Sequence, residues 1–371
     1  MTRRELLAVL GTAAAGTLQA APPTAPVALA RCRSYDEDLV STMGTMFDQI
    51  GGLERLVKGK TVTIKLNLTG SPGLRFQGRP LGVTHYTHPK TAGAMAHLLG
   101  RAGAKRIRFV ESAWASSGPL EEYLLESGWN VRTLKAAAQN VVFENTNALG
   151  SAKKYARFKV PGGGLIFPSY DLNMAYEETD VMVSMAKLKN HETCGVTLAM
   201  KNMFGITPAS IYGDDAGKDE PNEKPGNGRV SVCHEGKRQP ATAAAGELDP
   251  KSSRVPGHRM PRIVAELNAA RPIDIAFIDG IETVTGGEGP WIRGLKIVNP
   301  GLLILGTNAV TTDTVATTAM GYDPRSPKGT GPFKTCDNML LLAEGLGLGS
   351  ADLKNIEVRG LKLADATYHF G

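Results

Sequence analysis

The densest group of side chains suited to chemistry lies in the segment 187–191, which reads Lys-Leu-Lys-Asn-His. If this segment is extended, Lys187, Lys189 and His191 lie on one face, because side chains in a strand alternate between its two faces. Two ammonium groups and an imidazole together would favour a phosphate, a carboxylate or an enolate-like intermediate, and His191 could transfer a proton. A solvated basic loop is the structural alternative for the same residues.

Lys201 and Asn202 continue this polar pattern. Both lie in an otherwise apolar stretch over 197–204 that predicts a helix. Buried polar groups on such a helix need hydrogen-bonding partners or solvent. Because a helix N-terminus carries partial positive charge, we expect the first N–H groups of this helix to point toward the same anion.

Single polar side chains follow other short apolar or β-branched runs. Lys65 and Asn67 follow one run, Glu111 follows a second and Asp279 a third. Parallel sheets bind their ligands at the carboxyl ends of the strands. We therefore expect these residues and His191 to border one crevice along an edge of the sheet.

Two more carboxylates, Glu282 and Glu288, follow Asp279 and flank a glycine pair that permits close backbone approach to a ligand. These three groups could hold a divalent cation or accept protons. The glycines lack the spacing of a dinucleotide fingerprint or a Walker loop. Asp313, near the start of a predicted helix, suits a ligand contact or an interaction with the helix dipole equally well.

His88 could act as a metal ligand, a helix cap or a general base. With His85, Glu111 and His191 it could form a nitrogen and oxygen site for a divalent metal. These ligands come from distant segments without a diagnostic spacing, so the residues leave the cofactor unknown. A cap or a hydrogen-bonded loop position is the structural alternative for both His85 and His88.

The elements that would position these residues alternate between strands and helices. Strands are predicted over 27–30, 61–64, 106–110, 130–134, 181–185, 273–278 and 302–305, and helices over 36–50, 89–101, 120–128, 197–204, 260–268 and 310–320. This order predicts a Rossmann-like α/β fold, with a mostly parallel sheet covered by helices on both faces. We expect a single domain over 22–371 with a long irregular insertion at about 212–259, where apolar periodicity is lost. That insertion is interpreted as flexible, with an ordered lid over the site as the alternative.

The N-terminus carries a pattern typical of export. Arg3 and Arg4 precede a short apolar run that ends in small residues near position 21, as in a twin-arginine signal peptide. The run is too short for a permanent membrane span. The pattern predicts a periplasmic or otherwise exported protein, and an exposed amphipathic helix is the alternative.

Composition narrows the classes of partner. The formal net charge of +6 favours acidic ligands, but the basic residues are scattered and do not favour nucleic-acid binding. The four cysteines lie far apart and lack the close spacing of zinc ribbons or iron–sulfur clusters, which predicts no iron–sulfur cluster in this chain, does not favour a thiolate-bound zinc and leaves disulfide pairing open.

Several ordered motifs resemble the family called domain of unknown function 362. The motifs are Val62 to Asn67, Thr87-His88-Pro89, Gly103 to Ser112, Ala186 to His191, Met200 to Gly205, Asp279-Gly280-Ile281, Gly289-Pro290, and Asp313 with Met320-Gly321-Tyr322. Members of this family often carry ferredoxin modules, and the resemblance would imply iron–sulfur association there. This chain has no grouped cysteines, so any redox role would need a separate partner.

The leading hypothesis is an exported enzyme that binds a small anionic molecule in the crevice. The reaction stays open between proton transfer or isomerisation, redox chemistry with an external cofactor, and hydrolysis. The lysines would hold the charge, His191 or His88 would move a proton, and the carboxylates would orient the proton carrier or hold a cation. The alternative is a non-catalytic envelope protein that binds a metal or an anionic metabolite through the same residues.

Overall fold

The main sheet has eight strands in the order β14-β1-β13-β10-β7-β2-β3-β4. The computed structural model describes residues 21–371, so the predicted signal lies outside these residues except for its last position. The strands of this sheet are β1 Val27–Arg31, β2 Thr61–Lys65, β3 Arg106–Glu111, β4 Val141–Asn145, β7 Val181–Lys187, β10 Ile275–Gly280, β13 Leu302–Gly306 and β14 Val358–Gly360. Three further pairs are β5 Tyr155–Lys159 with β6 Ser169–Asn173, β8 Asn190–His191 with β9 Gly195–Val196, and β11 Thr283–Thr285 with β12 Lys296–Val298.

All strands of the main sheet run parallel except β13, which is antiparallel to both of its neighbours. The predicted mostly parallel α/β fold is therefore confirmed. The chain passes from β2 outward to β3 and β4 and then returns to β7 on the other side of β2. The direction of winding thus reverses between β2 and β7, and the crevice at such a switch point is where open α/β sheets bind ligands.

The sheet separates two hydrophobic cores. Phe109 and Val183 pack into one core, whereas Val110 and Met182 pack into the other, as the alternation of side chains along a strand requires. All seven residues of β7 are buried, which is the pattern of a central parallel strand covered on both faces.

Helices cover both faces of the sheet. They are α1 Leu39–Gln49, α2 Glu54–Val57, α3 Pro89–Arg101, α4 Leu120–Glu126, α5 Val131–Ala136, α6 Met174–Glu177, α7 Leu198–Asn202, α8 Ala209–Tyr212, α9 Pro256–Ala270, α10 Ala309–Ala319, α11 Met339–Gly345 and α12 Leu363–Ala366. Shorter 3₁₀ turns lie at Leu81–Val83, Pro161–Gly163, Met203–Ile206 and Leu353–Asn355, and a π-helical turn lies at Val230–His234. Within the described part of the chain, no helix combines the length and the apolar composition that crossing a bilayer requires.

One predicted strand is wrong. The run 130–134 was expected to be extended, but it forms the start of α5. The Asn130 side chain accepts a hydrogen bond from the Thr133 N–H at 3.0 Å and so caps this helix. The strand in this part of the sheet is β4, ten residues further along the chain.

The irregular segment at 212–259 is tied to the body of the domain. Arg259 of α9 is fully buried, donates to the carbonyl oxygens of Val232 and Cys233, and forms an ion pair with Glu247 at 2.7 Å. Asp214 accepts hydrogen bonds from two N–H groups at the start of the π-helical turn. These contacts hold the turn against α9, and the flexibility of the segment stays a prediction.

The four cysteines, Cys32, Cys194, Cys233 and Cys336, are buried free thiols. The disulfides that the sequence left open are therefore not formed in this structure. Burial raises the pKa of Cys194, Cys233 and Cys336 to about 12, which keeps these thiols protonated and unreactive at neutral pH.

Candidate functional site

A cavity of about 210 Å³ lies at the carboxyl ends of β2 and β3, beside the switch point of the sheet. Seven of the side chains singled out from the sequence line it together: Lys65, Asn67, Glu111, His191, Lys201, Asn202 and Glu288. Residues remote in the chain are thus brought around one space.

Lys65 and Glu111 form a fully buried ion pair at one side of this cavity. Glu111 also accepts the Leu68 N–H at 2.9 Å, and Lys65 Nζ donates to the Leu66 carbonyl at 2.6 Å. Burial lowers the pKa of Lys65, and the neighbouring carboxylate opposes that change. The pair is closely packed against Gly205, where a methyl group would lie 2.7 Å from Lys65 Nζ.

Two asparagines complete this wall. Asn202 Nδ2 donates to Ser184 Oγ at 3.0 Å and to the Lys65 carbonyl at 3.3 Å, so it connects β7 with β2 across the switch point. Asn67 is 3% exposed, and its Oδ1 has no hydrogen-bond partner among residues 21–371. Because a buried acceptor without a donor is costly, Asn67 Oδ1 is suited to accept from a bound molecule.

Lys201 and Arg229 bring two further cationic groups to the cavity, and both contact Phe204. Lys201 Nζ lies 4.5 Å from the Phe204 ring centroid, and the Arg229 guanidinium lies 5.8 Å from it. Arg229 is held by the carbonyl of Thr207 at 2.7 Å and by Asn147 Oδ1 at 2.8 Å. The Lys201 ammonium forms no hydrogen bond or ion pair with any side chain or carbonyl of the described residues. Burial lowers the pKa of Lys201.

Two imidazoles line the cavity in different hydrogen-bonding states. The Thr193 N–H donates to Nδ1 of His191 at 3.2 Å, so the neutral ring carries its proton on Nε2. His234 Nδ1 lies 3.5 Å from the Arg229 carbonyl and donates to it, so its Nε2 is an acceptor. Burial and Lys201 hold the pKa of His191 well below its usual range and lower the pKa of His234 to about 4. One donor and one acceptor nitrogen are thus available in the same space.

Glu288 is the second carboxylate of the cavity. Burial alone would raise its pKa, but the His191 ring and the N–H donors of Glu192 and Trp291 lower it to about 2. Of the lining side chains, three are formally cationic and two are carboxylates, so a single positive charge remains for a ligand. That balance suits a small anion.

Six other predicted residues do not line the cavity: Lys187, Lys189, His88, Asp279, Glu282 and Asp313. The expectation that Lys187 and Lys189 converge with His191 is therefore wrong. The strand β7 ends at Lys187, and residues 190–196 turn back as a separate short hairpin, so the alternation does not continue through the segment.

Lys187 and Asp279 form a separate buried cluster. Lys187 Nζ lies 3.1 Å from Asp279 and donates to Tyr35 Oη at 2.6 Å, and the Tyr35 hydroxyl donates to Asp279 at 3.0 Å. The His88 ring stacks on Tyr35 with a centroid distance of 3.5 Å, and its Nδ1 accepts the Lys90 N–H at the start of α3. Each group is satisfied by protein partners, so this cluster holds the strand ends together.

Lys189 and Glu282 are also occupied by protein partners. Lys189 Nζ donates to the carbonyls of His85 and Glu288 at 2.9 and 3.0 Å, and burial lowers its pKa to about 7. Glu282 forms an ion pair with Arg79 at 2.9 Å. Lys189 therefore supports the loop that carries Glu288 and lies behind the cavity wall.

Asp313 lies at the N-terminus of helix α7, where an anionic ligand was expected. Its two carboxyl oxygens accept the N–H groups of Ala199 and Met200 at 2.9 and 2.8 Å. Burial raises the pKa of Asp313 to about 8 although both hydrogen bonds oppose that change. The N-terminus of α7 is thus capped from within the protein and does not face an anion.

The metal set proposed from His85, His88, Glu111 and His191 is not assembled. Across residues 21–371, no group of three or more His, Cys, Asp or Glu side chains is arranged to hold a metal ion. His85 contacts Tyr86 and Trp291 through its ring edge, and His88 stacks in the separate cluster.

The sequence did not reveal several lining residues, including Ser112, Trp114, Phe204, Arg229, His234 and Trp291. Arg229 and His234 come from the irregular segment, whose lack of periodicity gave no indication of which side chains face inward. Phe204 lies within the motif Met200 to Gly205 and Trp291 directly follows Gly289-Pro290, but apolar residues in such positions more often serve only the core.

Residues 62–318 match the sequence profile of the family described as Domain of unknown function (DUF362). The chain belongs to this family. The DUF362 region contains every lining residue of the cavity and all strands of the main sheet except β1 and β14.

Two individual proteins are similar to this DUF362 chain. A thylakoid-associated protein of Synechocystis sp. is 26% identical over 198 residues, and the match covers 52% of this chain and 55% of that protein. A protein of Thermotoga maritima of known crystal structure shares 14% sequence identity, with a TM-score of 0.35 over 71% of this chain and 54% of the other. The second likeness is too slight to bear on the fold.

Proposed function

We propose that the cavity binds a small anionic molecule and that the chain is an enzyme that transfers a proton to or from it. The observation that carries the proposal is Lys201, whose side chain is 8% exposed and whose ammonium lines the cavity without a hydrogen bond or an ion pair among the described residues. A buried charge without a partner is unfavourable, and an anion in the cavity would supply the missing interaction. Arg229 and Lys65 border the same space and add to the attraction.

The two imidazoles support the proton-transfer part of the proposal. His234 Nε2 is an acceptor and would remove a proton from the bound molecule, while His191 Nε2–H would donate a hydrogen bond to the oxygen on which negative charge develops. Negative charge that develops on the ligand would be stabilised by Lys201 and by Arg229, and Arg229 is held in place before the reaction by Thr207 and Asn147. Lys201 keeps the charge-holding role of the sequence hypothesis, and His234 takes the proton-transfer role that the hypothesis gave to His191 or His88.

Lys201→Met tests the anion site, because it keeps the length of the side chain and removes its charge. We expect the wild-type protein to bind inorganic phosphate or acetate in calorimetric titrations, and the variant to bind about 10- to 100-fold more weakly, as befits a lost charge-assisted hydrogen bond. Lys58→Met is the matched control, because Lys58 is exposed and remote from the cavity. Equal affinities of wild type and Lys201→Met would refute the proposal, as would no binding of either anion by the wild type.

We also propose that the chain is exported through the twin-arginine pathway, on the strength of Arg3 and Arg4 before a short apolar run. Replacement of both arginines by lysine should leave the full-length precursor inside the producing cell. Intact-mass measurement of the wild-type protein from that cell should show a shorter mature form, and a single full-length mass would contradict export by this signal.

A further inference from the structure

The exposed large apolar side chains of the described chain are unevenly distributed. There are seven of them: Leu74, Trp114, Leu125, Val230, Leu248, Val255 and Trp291. Three, Trp114, Val230 and Trp291, line the cavity, and Leu74 lies beside Trp291 next to Gly70. The opening of a charged cavity is therefore bordered by apolar groups that remain in water.

Trp291 is held in a fixed position at this opening. Its Nε1 donates to Glu288 Oε1 at 3.1 Å, and its ring packs against Gly70, where a methyl group would lie 2.7 Å from the ring. Despite these contacts the residue is 44% exposed. An indole that is fixed on one side and open on another offers a stacking surface without a large loss of side-chain entropy on binding.

Trp114 provides a second exposed indole on the cavity wall. It is 46% exposed, and its Nε1 lies beside Gly228 of the irregular segment, 3.4 Å from where a methyl group on that glycine would be. Two exposed tryptophans at one opening are unusual for a protein surface, where large apolar residues in a group mark binding sites. The interior of the cavity is cationic, so it differs in chemistry from the apolar opening.

We infer that the molecule bound here is an aromatic anion, whose carboxylate or phosphate enters the cavity and whose planar ring stacks on Trp114 or Trp291 at the opening. This inference rests on the proposed anion site and adds the chemical class of the ligand. The volume of about 210 Å³ accommodates an acidic group together with a small ring, and both indoles border that space. Aromatic pairs contribute about 0.5–1.5 kcal/mol beyond the burial of their surface.

The experiment compares acetate, benzoate and cyclohexanecarboxylate as probes, with calorimetric titration of the full chain. The last two have similar size and charge, but only benzoate is planar. We expect benzoate to bind about tenfold more tightly than acetate, and cyclohexanecarboxylate to gain less. Trp114→Ala and Trp291→Ala should each reduce the affinity for benzoate several-fold, and Trp114→Ala should change the affinity for acetate less than twofold.

Two variants separate stacking from other effects. Trp291→Phe keeps a ring but loses the hydrogen bond to Glu288, and it should retain part of the preference for benzoate. Leu125→Ala is the control, because Leu125 is exposed and does not line the cavity, and it should leave all affinities unchanged. Trp114 is 46% exposed, so Trp114→Ala is expected to fold even if Trp291→Ala does not.

Three results would overturn the inference. If benzoate and acetate bind equally well and Lys201→Met still loses acetate binding, the inference of an aromatic ligand is refuted and the proposed anion site stands. No binding of any probe would remove both. A Trp114-dependent fluorescence change with anionic phosphatidylglycerol vesicles, without a preference for benzoate, would assign the exposed indoles to a membrane surface.

Discussion

Gly205 shows how closely the buried ion pair of the cavity is packed. The Lys65 and Glu111 side chains meet over its Cα, and the backbone there has no room for a methyl group. The sequence placed Lys65 and Glu111 correctly at strand ends, because both follow short β-branched or apolar runs. It did not show why glycine stands at position 205, since that depends on a contact with residues about 90 and 140 positions earlier in the chain.

Gly205→Ala should destabilise the protein by about 1–3 kcal/mol, because the added Cβ would lie 2.7 Å from Lys65 Nζ and 2.9 Å from Glu111 Oε1. Urea unfolding gives the change in the free energy of unfolding. Gly345→Ala is the control, since no atom lies within 4 Å of the added methyl group, and it should be neutral or slightly stabilising. An unchanged stability of Gly205→Ala would mean that the ion pair moves aside freely.

Lys201 also makes anion binding dependent on pH. Burial lowers the pKa of its ammonium, whereas a bound anion favours the charged form and raises the pKa again. We expect affinity for acetate to fall as the pH rises, at values below the usual lysine range, with uptake of protons on binding. Calorimetry in two buffers with different ionisation enthalpies measures this uptake, and its absence at every pH up to 10 would indicate that Lys201 keeps an ordinary pKa.

At the scale of elements, the short helix α7 connects the sheet with the cavity. It carries Lys201 and Asn202 on its last turn, while Asp313 of α10 binds its first N–H groups. The sequence predicted this helix and its two polar residues from the apolar run around them. It assigned the N-terminus to a ligand, because periodicity within one segment gives no information about a carboxylate that arrives from another helix.

Asp313→Ala should destabilise the protein by about 1–3 kcal/mol, because the Ala199 and Met200 N–H groups would be left buried without an acceptor. The loss should also weaken acetate binding, since Lys201 lies on the same short helix. Thermal unfolding and calorimetry measure the two effects. Asp365→Ala removes an exposed carboxylate that has no side-chain partner among residues 21–371, and it should change neither; a similar loss in both variants would argue against the capping role.

At the scale of the whole molecule, several histidines are buried or half-buried in neutral form. Burial lowers the pKa of His85 to about 2, that of His88 to about 3 and that of His234 to about 4. The unfolded chain binds these protons near pH 6.5 and the folded chain does not, so this part of the stability is present above that pH and is lost as the pH falls toward 4. Burial raises the pKa of Asp313 to about 8, so the folded chain keeps a proton on this carboxyl in a pH range where the unfolded chain has lost it. This contribution to the pH dependence of stability has the opposite sign and offsets that of one histidine.

His234→Asn should therefore make stability less dependent on pH. Between pH 6 and 4.5 the free energy of unfolding of the wild type should fall more steeply than that of the variant, by about 1.4 kcal/mol per pH unit for one proton. Urea unfolding at a series of pH values measures both slopes. Parallel slopes would show that His234 titrates normally in the folded protein.

The global architecture could be predicted from the sequence more completely than the site. Central strands such as β7 and β10 are continuous apolar runs, and α3 begins at a proline after a capping histidine, so local patterns were sufficient. The site depended on which strand ends meet and on the path of residues 187–196, which turn into a hairpin after Lys187. Six of the thirteen expected residues consequently support neighbouring segments instead of facing the cavity.

Arg229 and His234 reach the cavity from outside the repeating order of strands and helices, on a stretch fastened mainly by Arg259 and Glu247. The eight-stranded framework is complete without that stretch. Substitutions confined to this stretch would change which molecules the cavity binds, while the sheet kept its shape. One architecture would then serve different ligands through changes to one side of the cavity.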